Sequence, residues 1–91
     1  MLQCVPGNPK IAYQIEGDGP AIIFLHGVGG NKDNWARQMD FFCNTHTVVA
    51  WDARGYGDSD DYDGSLRFRD FSHDLRRLID HLGFDKCHLC G

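Results

Sequence analysis

Two stretches of the chain combine residue types and spacings that could do chemistry. The first, His26-Gly27-Val28-Gly29-Gly30-Asn31, places glycines between an apolar run and a helical pattern. Such a loop turns sharply, lets its backbone approach a ligand closely, and presents N–H groups to an anionic oxygen beside a helix start. The turn alone accounts for Gly30, but Gly27 and Gly29 are more than a turn requires. His26, at the end of a strand, reads as a packed, hydrogen-bonded structural residue rather than a proton carrier. The second stretch, Asp52-Ala53-Arg54-Gly55-Tyr56-Gly57-Asp58-Ser59-Asp60, mixes opposite charges with spaced glycines. It reads as a rigid connection in which Asp52 and Arg54 pair locally or bond to backbone, and Gly55 and Gly57 take positive φ. Ser59 and Ser65 lie at no strand-to-helix elbow with a base placed beside them, so neither is a nucleophile; Ser65 is better used as a helix cap. Trp35 is the one aromatic near the first loop that could face a ligand, with core packing as its ordinary role.

Four cysteines stand at positions 4, 43, 87 and 90. Cys87-His88-Leu89-Cys90 has the spacing of a zinc knuckle or a redox dithiol. No second close pair completes a zinc site, since Cys43 and His46 offer only a weak C-x-x-H, and the pair does not open a helix. Reduced cysteines packed as small apolar residues of a strand are the better reading.

The elements that must hold these loops alternate along the chain. Ile11 to Ile15 alternates apolar and polar residues and ends in Glu16-Gly17-Asp18-Gly19-Pro20, as a half-exposed outer strand followed by a turn does. Ala21 to Leu25 is a continuous apolar run, expected of a central strand covered on both faces. From Asn31, with Asn31 or Asp33 as cap, Trp35, Ala36, Met39, Phe42 and Cys43 recur at helical spacing. Thr47 to Trp51 forms a second buried strand that delivers Asp52 at its carboxyl end. Phe68, Phe71, Leu75, Leu78, Ile79 and Leu82 mark a second helix stopped by Gly83, and its charges from Arg69 to His81 read as a solvated face. A third strand starts at Lys86 and reaches Cys90. Strands alternating with helices mean βαβ units and a parallel sheet, so the fold class is α/β. Ligands of such sheets bind beyond the carboxyl ends of the strands, where both loops and the segment after Gly91 fall.

Composition bounds the function. The 91 residues are 42% hydrophobic and carry 9 Lys+Arg against 13 Asp+Glu, a net charge of -4. That is one ordinary globular domain at most, with no basic surface for nucleic acid or anionic lipid. No apolar run reaches the roughly 18 residues of a membrane span, and Met1 to Pro6 lacks the character of a signal peptide, so the expected location is the cytoplasm, with no membrane partner. A chain of this size buries little more than ~60% of its unfolded surface.

Taken in order, Phe24-Leu25-His26-Gly27-Val28-Gly29-Gly30, Asp52 through Asp60, and Asp74 through Gly83 leading to His88-Leu89-Cys90-Gly91 resemble the N-terminal part of an α/β-hydrolase. The nearest branch contains 3-oxoadipate enol-lactonases, C–C bond hydrolases and esterases, and the resemblance runs from about residue 10 to residue 91. It implies a partial hydrolase domain over residues 1–91, truncated at the nucleophile-elbow strand, with the remainder beyond the chain. It also implies that the backbone N–H of Val28, in the loop of His26, Gly27 and Gly29, is one donor of an oxyanion hole. Asp52, Arg54, Gly55, Gly57 and Ser59 would shape the floor of the site. Gly91 fits the first glycine of Gly-X-Ser-X-Gly, so the serine nucleophile, the triad acid and the histidine lie beyond the chain, and Asp58, Asp60 and His73 are not those residues. The implied substrate is a small-molecule ester or lactone, with no metal or organic cofactor. The 91 residues alone are expected to be inactive and, with a central strand left as an edge, aggregation-prone.

Two other readings remain open at the level of sequence. A dinucleotide-binding domain is imitated by the glycine-rich turn and by Asp52, 25 positions beyond Gly27, but Lys32 stands where the third fingerprint glycine belongs, and an alternating strand precedes the turn. A noncatalytic short binding protein with a partial hydrolase fold is the second.

Overall fold

The apolar runs form a sheet and the two amphipathic stretches cover it, one on each face. The computed structural model describes all 91 residues. Strands β1 (Leu2–Val5), β2 (Ile11–Gly17) and β3 (Ala21–Phe24) precede a 3-10 turn (Lys32–Trp35) that runs into helix α1 (Ala36–Phe42). Strand β4 (Thr47–Trp51), helix α2 (Phe68–Leu82) and strand β5 (His88–Cys90) follow. The strand order is β1-β2-β4-β3-β5. β1 and β2 run antiparallel to each other, and β2 antiparallel to β4. β4, β3 and β5 are parallel, with Phe24 level with Ala50 on one side and Cys90 on the other.

Alternation along β3 and β4 divides the core in two. Ile23, Val49 and Trp51 pack with Ile11, Tyr13 and Leu78, with α2 residues Phe71, Leu75, Ile79 and Leu82 around them. Phe24, Val48 and Ala50 pack with Met39 of α1, against Trp35 and Phe42. Both faces of these strands are therefore apolar, which is why each reads as an unbroken hydrophobic run. Helix α2 starts where the Arg67 N–H donates to the Asp70 carboxylate at 2.9 Å, and stops at Gly83 with φ 73°. Asn31 caps the 3-10 turn, accepting from the Asp33 N–H at 2.8 Å, while its own N–H donates to Asn34 Oδ1 at 2.7 Å.

Several expectations need correction. Ile11 to Ile15 is not an outer strand: β1 flanks it, and Ile11, Ala12 and Tyr13 are all buried. The 52–60 loop folds back on its edge, where the Ala12 N–H donates to Ser59 Oγ and the Asp60 N–H to the Lys10 carbonyl, both within 2.9 Å. Ser65 caps nothing, because α2 begins after Arg67. The charges of α2 are not all solvated, since Asp74 is fully buried. Cys4 and Cys90 are exposed rather than packed, Cys90 because β5 is the last strand of the sheet in this chain.

Candidate functional site

Because β3, β4 and β5 are parallel, the segments leaving β3 and β4 emerge at one edge of the sheet, and Gly91 lies at that edge too. The Leu25 N–H donates to the Cys90 carbonyl at 2.8 Å, and a β carbon on Gly91 would sit 3.7 Å from the Leu25 carbonyl oxygen. The third candidate segment therefore starts directly beside the first loop.

That loop is hung from two adjacent residues at the end of β4. At its entrance His26 Nε2 accepts from the Ala53 N–H at 3.0 Å, while Nδ1 lies 2.9 Å from the Gly27 carbonyl and donates to it. These partners assign the neutral ring with its proton on Nδ1. His26 also meets Tyr56 edge to face at 5.1 Å, so it joins the two loops in the structural role expected of it. At the loop's exit the Asp52 carboxylate takes the Lys32 N–H at 2.8 Å and Lys32 Nζ at 2.7 Å. Lys32 Nζ also reaches Asp58 at 2.8 Å, and the Asp58 N–H donates to Asp52 at 2.9 Å.

Between these tethers the N–H groups of Gly27, Val28 and Gly29 have no protein acceptor, whereas the Gly30 N–H closes a turn on the Gly27 carbonyl at 3.0 Å. Val28 is 99% exposed. A β carbon at Gly27 or Gly29 would meet nothing within 4 Å, and Gly29 has φ 81°. The three amides border an open concavity of about 390 Å³ lined by the loop together with Asn34, Trp35 and Gln38. Trp35 does both things considered for it: it stacks on Phe24 at 4.9 Å between ring centroids and also forms one wall of the concavity.

Electrostatics fix the second loop. Burial pushes the Asp52 carboxyl up, but hydrogen bonds from Lys32 Nζ and from the Lys32 and Asp58 amides, with the lysine charge, outweigh it and hold the group below its usual range. For Lys32 burial acts downward, and the bonds and charges of Asp52 and Asp58 carry the ammonium above its usual range. The expected local pair of Asp52 with Arg54 does not form. Arg54 turns instead to α2, where Nε and Nη2 grip both oxygens of Asp74 at 2.6 and 2.8 Å. This is the bidentate geometry for which a guanidinium is suited, and it raises the Arg54 pKa. Gly55 and Gly57 take positive φ, as expected. At Gly57 a side chain is also sterically barred, since a β carbon would lie 2.3 Å from the Asp52 carboxyl. Ser59 Oγ donates to the Asp52 carbonyl at 2.5 Å, binding the loop's end to its start.

Sequence reasoning missed Lys32, Asp58 and Asp74 as partners. Asp74 had a readable signal, because with Phe71, Leu75 and Leu78 it falls on the apolar stripe of α2.

The alpha/beta hydrolase fold family model matches residues 20–91, and the chain belongs to that family. It is 39% identical over 90 residues to a fluoroacetate dehalogenase of Burkholderia sp, covering 93% of this chain and 30% of the relative. It is 33% identical over 76 residues to 3-oxoadipate enol-lactonase 2 of Acinetobacter baylyi, covering 84% of this chain and 28% of the relative. Among solved structures, an epoxide hydrolase of Vigna radiata superimposes with a TM-score of 0.92 at 30% identity, covering 98% of this chain and 29% of that one. The chain thus spans less than a third of the length of these relatives. The expected family and α/β class are borne out, and the dinucleotide-binding reading gives way, its fingerprint position being filled by the buried Lys32. No helix is long and apolar enough to cross a membrane.

Proposed function

We propose that residues 1–91 are the N-terminal part of a hydrolase domain acting on a small-molecule ester, lactone or related C–C bond, in which the Val28 N–H is one oxyanion donor. The observation that carries this reading is the free Val28 amide, with no acceptor of its own, on a loop lying beside the end of β5. In the proposed domain Gly91 opens the nucleophile elbow, and a serine two residues further on attacks the substrate carbonyl. A histidine from a later segment takes its proton, held by a later acid. The carbonyl oxygen becomes an oxyanion beside the first loop, where preorganised N–H donors typically lower the barrier by about 3 kcal/mol each. Asp52, Arg54, Gly55, Gly57 and Ser59 form the floor, and Trp35 walls the space a substituent of the substrate would enter. No cofactor takes part, and the cytoplasm is the proposed location.

One observation favours a second reading. The similarity to a dehalogenase and to an epoxide hydrolase fits a domain with aspartate in the serine's place.

The test uses the intact protein that contains this chain, assayed on p-nitrophenyl acetate, a lactone, an epoxide and a haloacid. Saturable ester or lactone hydrolysis blocked by a fluorophosphonate is expected. Turnover insensitive to that reagent supports the carboxylate nucleophile, and no turnover of any of the four contradicts the hydrolase reading. The 91-residue chain alone is expected to hydrolyse the ester no faster than an unrelated protein.

A further inference from the structure

We infer that Lys32, clamped between Asp52 and Asp58, is a positioning residue that fixes where the Val28 N–H points; this rests on the oxyanion reading. The Lys32 side chain is 9% exposed although it opens a surface turn, where a solvated lysine would cost nothing. Burying an ammonium is unfavourable unless it is paired and hydrogen-bonded, so its burial needs a reason. The bonds supply one. Asp52 takes both the Lys32 N–H and Lys32 Nζ, and Nζ extends to Asp58, whose own N–H returns to Asp52. One carboxylate at the end of β4 thus holds the exit of the loop, while the N–H of the next residue, Ala53, holds its entrance through His26.

Between the two ties stand Gly27 and Gly29, the residues with the greatest backbone freedom and with open space around them. Inside that span the one backbone bond, from the Gly30 N–H to the Gly27 carbonyl at 3.0 Å, closes the turn that carries Val28. Beyond the two ends no bond ties that turn to the rest of the fold, so they set where it sits and where the Val28 N–H points. An oxyanion donor acts only when it is aimed before the charge appears, and a misplacement of about 1 Å costs on the order of a hundredfold in rate.

The test is a double-mutant cycle in the intact protein, with kcat and KM for whichever of the four substrates it turns over. Lys32→Met is expected to lower kcat about tenfold to a hundredfold, with KM little changed, and Lys32→Arg to restore part of the loss. In a Val28→Pro background, which lacks the donor, Lys32→Met is expected to cost no further kcat. Should Lys32→Met fail to fold, Asp58→Asn, which removes only the exposed arm of the clamp, is expected to give a smaller loss that likewise disappears in the Val28→Pro background. An unchanged kcat, or the same factor lost in both backgrounds, overturns the positioning role. A Val28→Pro variant with full kcat overturns the oxyanion reading itself, before Lys32 is touched.

Discussion

The Asp52 carboxylate takes two amides and an ammonium, its carbonyl takes Ser59, and Gly57 beside it must lack a side chain for that carboxylate to fit. A carboxyl held below its usual range in the folded chain stabilises the fold above its unfolded pKa, about 3.9, and that contribution fades as pH falls through the lower folded value. The paired ammonium, raised when folded, keeps its contribution up to about pH 10 and loses it above. Asp52→Asn is therefore expected to lower the urea midpoint at neutral pH, with the gap to the parent protein narrowing below about pH 4. A gap that stays constant down to pH 2 contradicts the ionised cluster.

Among the elements, α2 is tied to the sheet by more than its apolar stripe. Asp74 grips Arg54 from the second loop and also Arg77, whose Nη2 donates to the carbonyls of Pro6 and Pro9 at 3.1 and 2.9 Å. One buried carboxylate thereby joins the helix, the loop after β4 and the β1–β2 turn. Asp74→Ala leaves two partly buried guanidinium groups without their anion and is expected to cost on the order of 3 kcal/mol in urea unfolding of the intact protein. Asp80→Ala, which loses only the exposed Arg76 pair, is expected to cost under about 0.5 kcal/mol. Equal losses contradict the linking role of Asp74.

The same elements show what a sequence makes legible. β3 and β4 were readable because burial on both faces leaves an unbroken apolar run, and α2 because burial on one face leaves apolar residues at intervals of three and four. β1 was not, because Leu2–Val5 gains its order from pairing with β2 and only Val5 is buried. The glycine-rich loop and the positive φ of Gly55 and Gly57 were readable from residue type. The partners of Asp52 and Arg54 were not, because Lys32 and Asp74 each stand 20 positions away and meet them only once the helices lie on the sheet.

At the scale of the molecule, three parallel strands bring both loops and the end of β5 to one edge, and antiparallel β1 and β2 close the far side. The relatives are about three times as long, and under the proposed function the donor loop lies in these residues and the reacting side chains in the rest of the whole protein. The proposed donor is a backbone N–H and not the side chain of Val28. The direct measurement is kcat for Val28→Pro and Val28→Ala in the intact protein. Proline deletes the N–H and alanine keeps it, so a loss of about a hundredfold or more is expected for the first and little change for the second. Full activity in Val28→Pro, or an equal loss in both variants, would contradict that donor role.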